Sequence, residues 1–187
     1  MRILKQMSQR FESRQWVPFP VELVFAFFAD PRNLPKLMTP RMETRIEDLR
    51  LASPPADASS MPLRIAEGFA AGAGSEITVS FRPLGWMPKR ASWLARIVAF
   101  EWNSYFCDEQ VRGPFARFSH RHEMHAERQD GIEGTLVSDE IEYAMPFGIL
   151  GLLGSAYARR QMEESFADRQ RRLLRLLALE ARVAATI

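Results

Sequence analysis

Apolar and polar residues alternate in steps of two through most of Ser75 to Ala144, and give way to helical spacing beyond it. In Ser75 to Arg82, Ile77, Val79 and Phe81 share one face and Glu76, Thr78, Ser80 and Arg82 the other, as a half-buried strand requires. Ser92 to Glu101 places Trp93, Ala95 and Ile97 together; Phe100 breaks that parity, which predicts a bulge or a strand end. Tyr105 to Arg112 is ambiguous about its inner face. Gly113-Pro114 turns the chain into Phe115 to Glu127, where Phe118, His120, His122 and Met124 oppose Arg117, Ser119, Arg121 and Glu123. After an Asp130-Gly131 turn, Thr135 to Ala144 sets Val137, Asp139, Ile141 and Tyr143 against Ser138, Glu140 and Glu142.

From Ser155 to about Val183 the chain has neither Pro nor Gly and is dense in Ala, Leu, Arg, Glu and Gln. These residues lose little rotamer freedom in a helix, so one long helix is expected. Met162, Phe166, Leu173 and Leu177 fall on one face, widened by Leu174 and Leu176, while Arg159, Arg160, Glu163, Arg171, Arg172 and Arg175 crowd the others. At the other end, Ile3 to Val17 reads as a first strand, ended by Pro18 and Pro20. Val21, Val24, Phe25 and Phe28 then repeat at helical spacing, with Pro20 suited to the first turn. Asp30-Pro31 predicts a cap and first turn for a second short helix through Leu37. Met42 to Leu51 is a weak strand. Ala52 to Gly74, rich in Pro, Ser, Ala and Gly, predicts a long loop or hairpin excursion.

The order is therefore strand, two short helices, a run of antiparallel strands and one long helix. Strands one hairpin apart pair most simply as a meander, which would curl its apolar face around the helix. The expected class is α+β. With 187 residues, 47% of them hydrophobic, the chain suffices for one core and is short for two, so a single domain over residues 1–187 is expected.

Charge narrows the function classes. Twenty-five basic against 23 acidic side chains leave a net +2, too little for a nucleic-acid footprint. Helical arginines beside glutamates are expected to make ion pairs. No stretch is apolar and long enough to insert in a membrane, and Met1 to Arg10 lacks the apolar core of a secretory signal. The lone Cys107 excludes an intramolecular disulfide and fits a reducing compartment, so a cytoplasmic location is expected.

Three blocks carry a resemblance: Val24-Phe-Ala-Phe-Phe-Ala-Asp-Pro-Arg-Asn33, Asp108-Glu-Gln-Val-Arg-Gly-Pro-Phe115 and Tyr143-Ala-Met-Pro-Phe-Gly-Ile-Leu-Gly151. With Trp93 and the pair His120 and His122, they resemble the SRPBCC superfamily, which includes START-like and polyketide cyclase/dehydrase proteins. The bacterial single-domain branch is the most similar. The resemblance spans the chain apart from Ala52 to Gly74, which reads as an insertion. It implies a helix-grip fold, with about seven antiparallel strands wrapped around the C-terminal helix and a deep apolar cavity between them. Phe100 and Phe118 stand where tryptophan is usual, which bears on the size and shape of that cavity. The superfamily has no universal catalytic residue and implies no cofactor.

The residues expected to face the interior are Ile77, Val79, Phe81, Trp93, Ile97, Phe118, Val137, Ile141 and Tyr143 from the sheet, opposite Met162 and Phe166. They are either an ordinary core or the walls of a small-molecule site. His120, His122 and Asp139, polar members of the same faces, admit three readings: a satisfied buried network or exposed strand end, groups that orient a ligand, or catalytic or metal-binding residues. His-x-His lacks a third ligand in the sequence, and His125 has the wrong parity, so no metal is expected. In a catalytic reading Asp139 or Glu109 orients a histidine acting as acid or base. Phe147 and Leu150, in the glycine-rich connection before the long helix, are candidates to gate a cavity. The leading expectation is a binding protein for a hydrophobic, lipid-like or polyketide-like small molecule. The alternatives are a cyclase/dehydrase-type enzyme using His120 and His122, and an interaction module with a vestigial cavity.

Overall fold

The computed structural model of the protein describes residues 8–55, 69–83, 88–146 and 151–184. Strand β1 (Gln9–Val17) leads into helix α1 (Val21–Ala29), a 3-10 turn (Pro31–Asn33), helix α2 (Leu34–Leu37) and a second 3-10 turn (Pro40–Met42). Strands β2 (Arg45–Arg50), β3 (Glu76–Phe81), β4 (Ala91–Glu101), β5 (Tyr105–Arg112), β6 (Arg117–Gln129) and β7 (Ile132–Ala144) follow, and helix α3 (Gly151–Ala184) ends the described chain. The seven strands form one sheet in the order β1-β7-β6-β5-β4-β3-β2, with every neighbouring pair antiparallel. β2 to β7 are thus the expected meander, and the first strand closes it by pairing with the last.

Local chemistry explains most boundaries. Pro20 stands at the cap of α1, one position before the first helical residue. The Asp30 carboxylate accepts from the Arg32 amide at 2.9 Å and opens the 3-10 turn that begins the second short helical segment. Asp130 (φ 49°) and Gly131 (φ 80°) both adopt left-handed backbone, as a tight turn between β6 and β7 requires. The register of β4 against β5 shifts between Ile97 and Ala99, a bulge that returns Phe100 to the core against Phe25 at 5.3 Å between ring centres. The Ala52 to Gly74 excursion is tied down at both described ends. The Trp102 indole donates to Pro55 O at 2.8 Å, and the Ala71 and Gly72 amides donate to Ala29 O and Ala52 O, each at 2.9 Å.

Gly134 marks a close crossing. The Trp16 indole lies over it while donating to Glu127 O at 2.9 Å, and a Cβ at Gly134 would stand 2.4 Å from the ring and 2.5 Å from Val17 O. Because one of those neighbours is backbone, Gly134→Ala is expected to cost roughly 1–3 kcal/mol, read as a lower urea midpoint at unchanged slope. A variant as stable as the parent would mean that β1 can move away from β7.

Inside the sheet the parities hold: Ile77, Val79, Phe81, Ile97, Phe118, His122, Met124, Val137, Asp139, Ile141 and Tyr143 are all buried. The core is tightest around Val17, Val24, Phe25, Met124, Val137, Leu173 and Leu177, each at most 2% exposed. A second apolar group comprises Phe11, Phe118, Ile141 and Tyr143, with Met162, Phe166, Trp93, Phe115 and Met145 packed on it but only half-buried. Helix α3 is fastened along its outer flank. Gln15 Nε2 donates to Gln170 O at 3.0 Å, Gln170 Nε2 donates to Ser13 Oγ at 3.1 Å, and Arg172 donates to Met38 O at 2.6 Å. Its solvent face carries the expected ion pairs, Arg159–Glu163 at 3.1 Å and Arg160–Glu164 at 3.0 Å, each worth a few tenths of a kcal/mol at most.

Candidate functional site

Between the two apolar groups lies a layer of ionisable side chains, buried or nearly so. Its centre is one atom, Oδ1 of Asp139 on β7. His120 Nε2 lies 3.0 Å from it, His122 Nδ1 2.8 Å, and the Arg169 guanidinium of α3 donates to it at 3.0 Å. The register explains the convergence, since β6 and β7 pair His122 directly with Asp139 and His120 with Ile141. His122 Nδ1 is close to the carboxylate but off the line a hydrogen bond needs, and among the described residues no other acceptor satisfies it. From the other flank Asp108 on β5 brings Oδ2 to 3.5 Å from His122 Nε2; it pairs in register with His120.

Aromatic rings enclose this layer. His122 stacks on Phe106 (4.3 Å, 23°) and lies 3.7 Å from the His120 ring. Phe28 of α1 stands 6.0 Å from His122, and Phe166 of α3 stands 6.0 Å from His120. The Arg169 guanidinium sits 4.9 Å from the centres of both phenyl rings, so aromatic faces and one carboxylate replace its water.

Burial and pairing pull the protonation equilibria in opposite directions. Burial alone would raise the Asp139 pKa, but Arg169, His120 and His122 together hold it well below the usual carboxylate range. Burial lowers His120, and the neighbouring His122 lowers it further against the pull of Asp139. Burial would also lower His122, but its two carboxylates, Asp108 and Asp139, outweigh this and raise it. Of the two imidazoles, His122 is therefore the one whose protonated form its surroundings favour.

Among the solved structures that match, two do so with probability 1.00. TTHA0849 from Thermus thermophilus has a TM-score of 0.60 at 16% identity, over 91% of this chain and 98% of that one. Ara h 8.0201 has a TM-score of 0.54 at 16% identity, over 89% of this chain and 98% of that one. No protein-family model matches the sequence, and no curated protein matches it. At that identity the matches establish architecture, and with the seven-stranded sheet and terminal helix they decide it. The chain has the helix-grip fold. The resemblance to the SRPBCC superfamily is borne out at the level of fold.

Within the helix-grip frame, the predicted residues fall into three groups. His120, His122 and Asp139 come together at the layer. Phe118, Ile141, Tyr143, Trp93, Met162 and Phe166 gather on one side of it with Phe11. Ile77, Val79, Ile97 and Val137 pack with Leu173 and Leu177 in the tighter core, and Phe81 lies against Trp93 at 6.2 Å. Phe147 and Leu150 lie outside the described residues.

Two expectations need correction. Glu109 is exposed on the outer face of β5 and cannot orient either imidazole; its neighbour Asp108 does so. Nor do the two histidines lack a third donor, because one ligand atom each from Asp108, His120 and His122 lie within 4.8 Å of one another. His125 faces outward beside Glu123 at 3.7 Å, as its parity requires. Arg169 was not singled out in the sequence. It occupies the gap between Phe166 and Leu173 in the apolar stripe of α3, and that interruption was the available signal. A pocket of about 250 Å³ lies at the far end of β1, β6 and β7, lined by Ser8, Gln9, Arg10, Arg117 and Glu142. Arg10 and Arg117 head the outward parity of β1 and β6, so this pocket is not the interior space expected between sheet and helix.

Proposed function

We propose that the protein binds a hydrophobic small molecule bearing one polar group, between the sheet and the N-terminal half of α3. The observation that carries this reading is the layer of His120, His122, Asp139 and Arg169, desolvated among phenyl rings. Burying four ionisable groups costs stability that an apolar core would not forfeit, and polar groups convergent on an apolar space are the usual means of orienting a ligand. Met162, Phe166 and Trp93 supply the apolar side: they point inward yet are only half-buried. The ligand of this reading is a lipid-like or polyketide-like molecule, its polar end on the imidazoles and its body along α3. The role we infer is that of a cytoplasmic carrier or sensor; none of the described helices is long and apolar enough to cross a membrane.

The test is native mass spectrometry of gently purified protein, together with titration of the fluorescent probe anilinonaphthalene sulfonate and its displacement by fatty acids and aromatic polyketides. Stoichiometric binding is expected, and Met162→Trp, which would occupy the proposed space, is expected to weaken it at least tenfold with little change in melting temperature. Binding that survives Met162→Trp unchanged would place the ligand elsewhere and sink the reading.

A second reading, an acid–base enzyme of cyclase or dehydrase type, is favoured by the imidazole–carboxylate contacts at 2.8 and 3.0 Å. It requires that His120→Gln or His122→Gln abolish turnover of a bound compound while leaving its affinity within a few-fold.

A further inference from the structure

We propose that Asp108, His120 and His122 form a site for a divalent first-row transition-metal ion, with Asp139 as the carboxylate behind the two imidazoles. Three features of the cluster lead there. The first is the donor set. Two imidazoles and one carboxylate, drawn from adjacent strands β5 and β6, suit zinc, iron(II) and cobalt(II). One donor atom from each lies within 4.8 Å of the others. His122 Nε2 and Asp108 Oδ2 are 3.5 Å apart, and two ligands at tetrahedral angles on a zinc-sized ion stand about 3.4 Å apart.

The second feature is the support behind the rings. A metal-bound histidine usually gives its other ring nitrogen to a carboxylate, which fixes its tautomer and orientation. Asp139 Oδ1 stands 3.0 Å from His120 Nε2 and 2.8 Å from His122 Nδ1, and Arg169 donates to the same oxygen at 3.0 Å. The stack on Phe106 then fixes the plane of His122, leaving Nε2 directed toward Asp108. The third is charge and access. Two carboxylates and one guanidinium leave the cluster at −1 when both imidazoles are neutral, which favours a cation. Side-chain exposures of 17% at Asp108 and 12% at His120 give it a way in.

This inference rests on the donor set and not on the ligand reading, and the two fail separately. The probes are Zn(II) and Co(II), added to full-length protein dialysed against a chelator. One equivalent is expected to bind; cobalt develops visible d–d absorption of a nitrogen- and oxygen-ligated site, and zinc raises the melting temperature. Asp108→Asn, at a partly exposed position that should leave folding intact, is expected to weaken binding at least tenfold and to remove the zinc-dependent shift. His122→Ala is expected to abolish the absorption, and His125→Ala to leave it unchanged. No absorption and no thermal shift at millimolar metal would overturn the proposal. So would an Asp108→Asn variant that binds like the parent, or binding lost on His125→Ala, which would identify adventitious surface chelation.

Discussion

Asp139→Ala is expected to be among the most damaging single substitutions in this protein, costing roughly 3–5 kcal/mol and on the order of 10 °C in melting temperature. The reason is what it strands. Asp139 is 6% exposed, and its Oδ1 is the counter-charge for an Arg169 side chain that is itself only 13% exposed and lodged against Phe28 and Phe166. Without the carboxylate a guanidinium remains desolvated and unpaired, and two imidazoles lose their shared partner. Removing both charges should be milder than removing one. Asp139→Ala combined with Arg169→Met is therefore expected to recover at least half of the loss, and the double-mutant cycle to show strong coupling. Additive effects, or an Asp139→Ala variant within about 1 kcal/mol of the parent, would mean that water or a shift of α3 already solvates Arg169.

The same group sets the acid limit. The Asp139 pKa is depressed in the folded protein relative to about 3.9 when unfolded, so its stabilisation is present above that value and is lost as pH falls through the folded one. His122 has the opposite sense. Its raised pKa gives stability that is full below about 6.5 and is lost as pH rises through the folded value. His120, lowered, opposes it: folding favours its neutral form, and acidification below about 6.5 works against the fold. Urea midpoints followed against pH should fall steeply in acid for the parent and less steeply for Asp139→Ala. His120→Gln should leave the loss above about pH 6.5 that comes from His122.

How much of this was legible in the sequence depended on whether an element's pattern had one solution. The period-two alternation of β3, β6 and β7 is unambiguous, and it put Phe118, His120, His122, Asp139 and Tyr143 on the correct face. β5 was not legible, because its inward set of Phe106, Asp108 and Gln110 is mostly polar and its outward set begins with Tyr105. The third member of the candidate metal site fell in that strand and went unseen. Arg169 was hidden for a related reason. A hydrophobic stripe shows where a helix is buried, and a charged residue in its gap looks like a break in the contact rather than its centre. Pairing across the sheet was the other missing quantity: that His122 faces Asp139 and His120 faces Asp108 follows from two hairpin registers, which the β5–β6 turn and the Asp130-Gly131 turn fix only once they are seen folded.

Along α3 the cost of truncation should fall from the C-terminal half to the N-terminal half. Leu177→Ala and Leu173→Ala remove side chains that are 0% and 1% exposed, in the tightest part of the core, and each is expected to cost roughly 2–5 kcal/mol. Met162 points to the same side of the same helix, three and four turns earlier, but is only half-buried beside Phe11 and Tyr143. Met162→Ala should cost no more than about 1 kcal/mol, because the removed methylenes were not fully withdrawn from water and leave no sealed void. Such a gradient is what the proposed ligand space requires, with α3 packed closely at Leu173 and Leu177 and less closely around Met162. Urea denaturation of the three variants, at constant slope, measures it directly. Equal losses at Met162 and Leu177 would mean that the helix is packed evenly along its length, leaving no space for a ligand. A steep gradient, with probe affinity changed by Met162→Ala and untouched by a conservative Leu177→Met, would separate the half of the helix that holds the fold from the half available to a guest molecule.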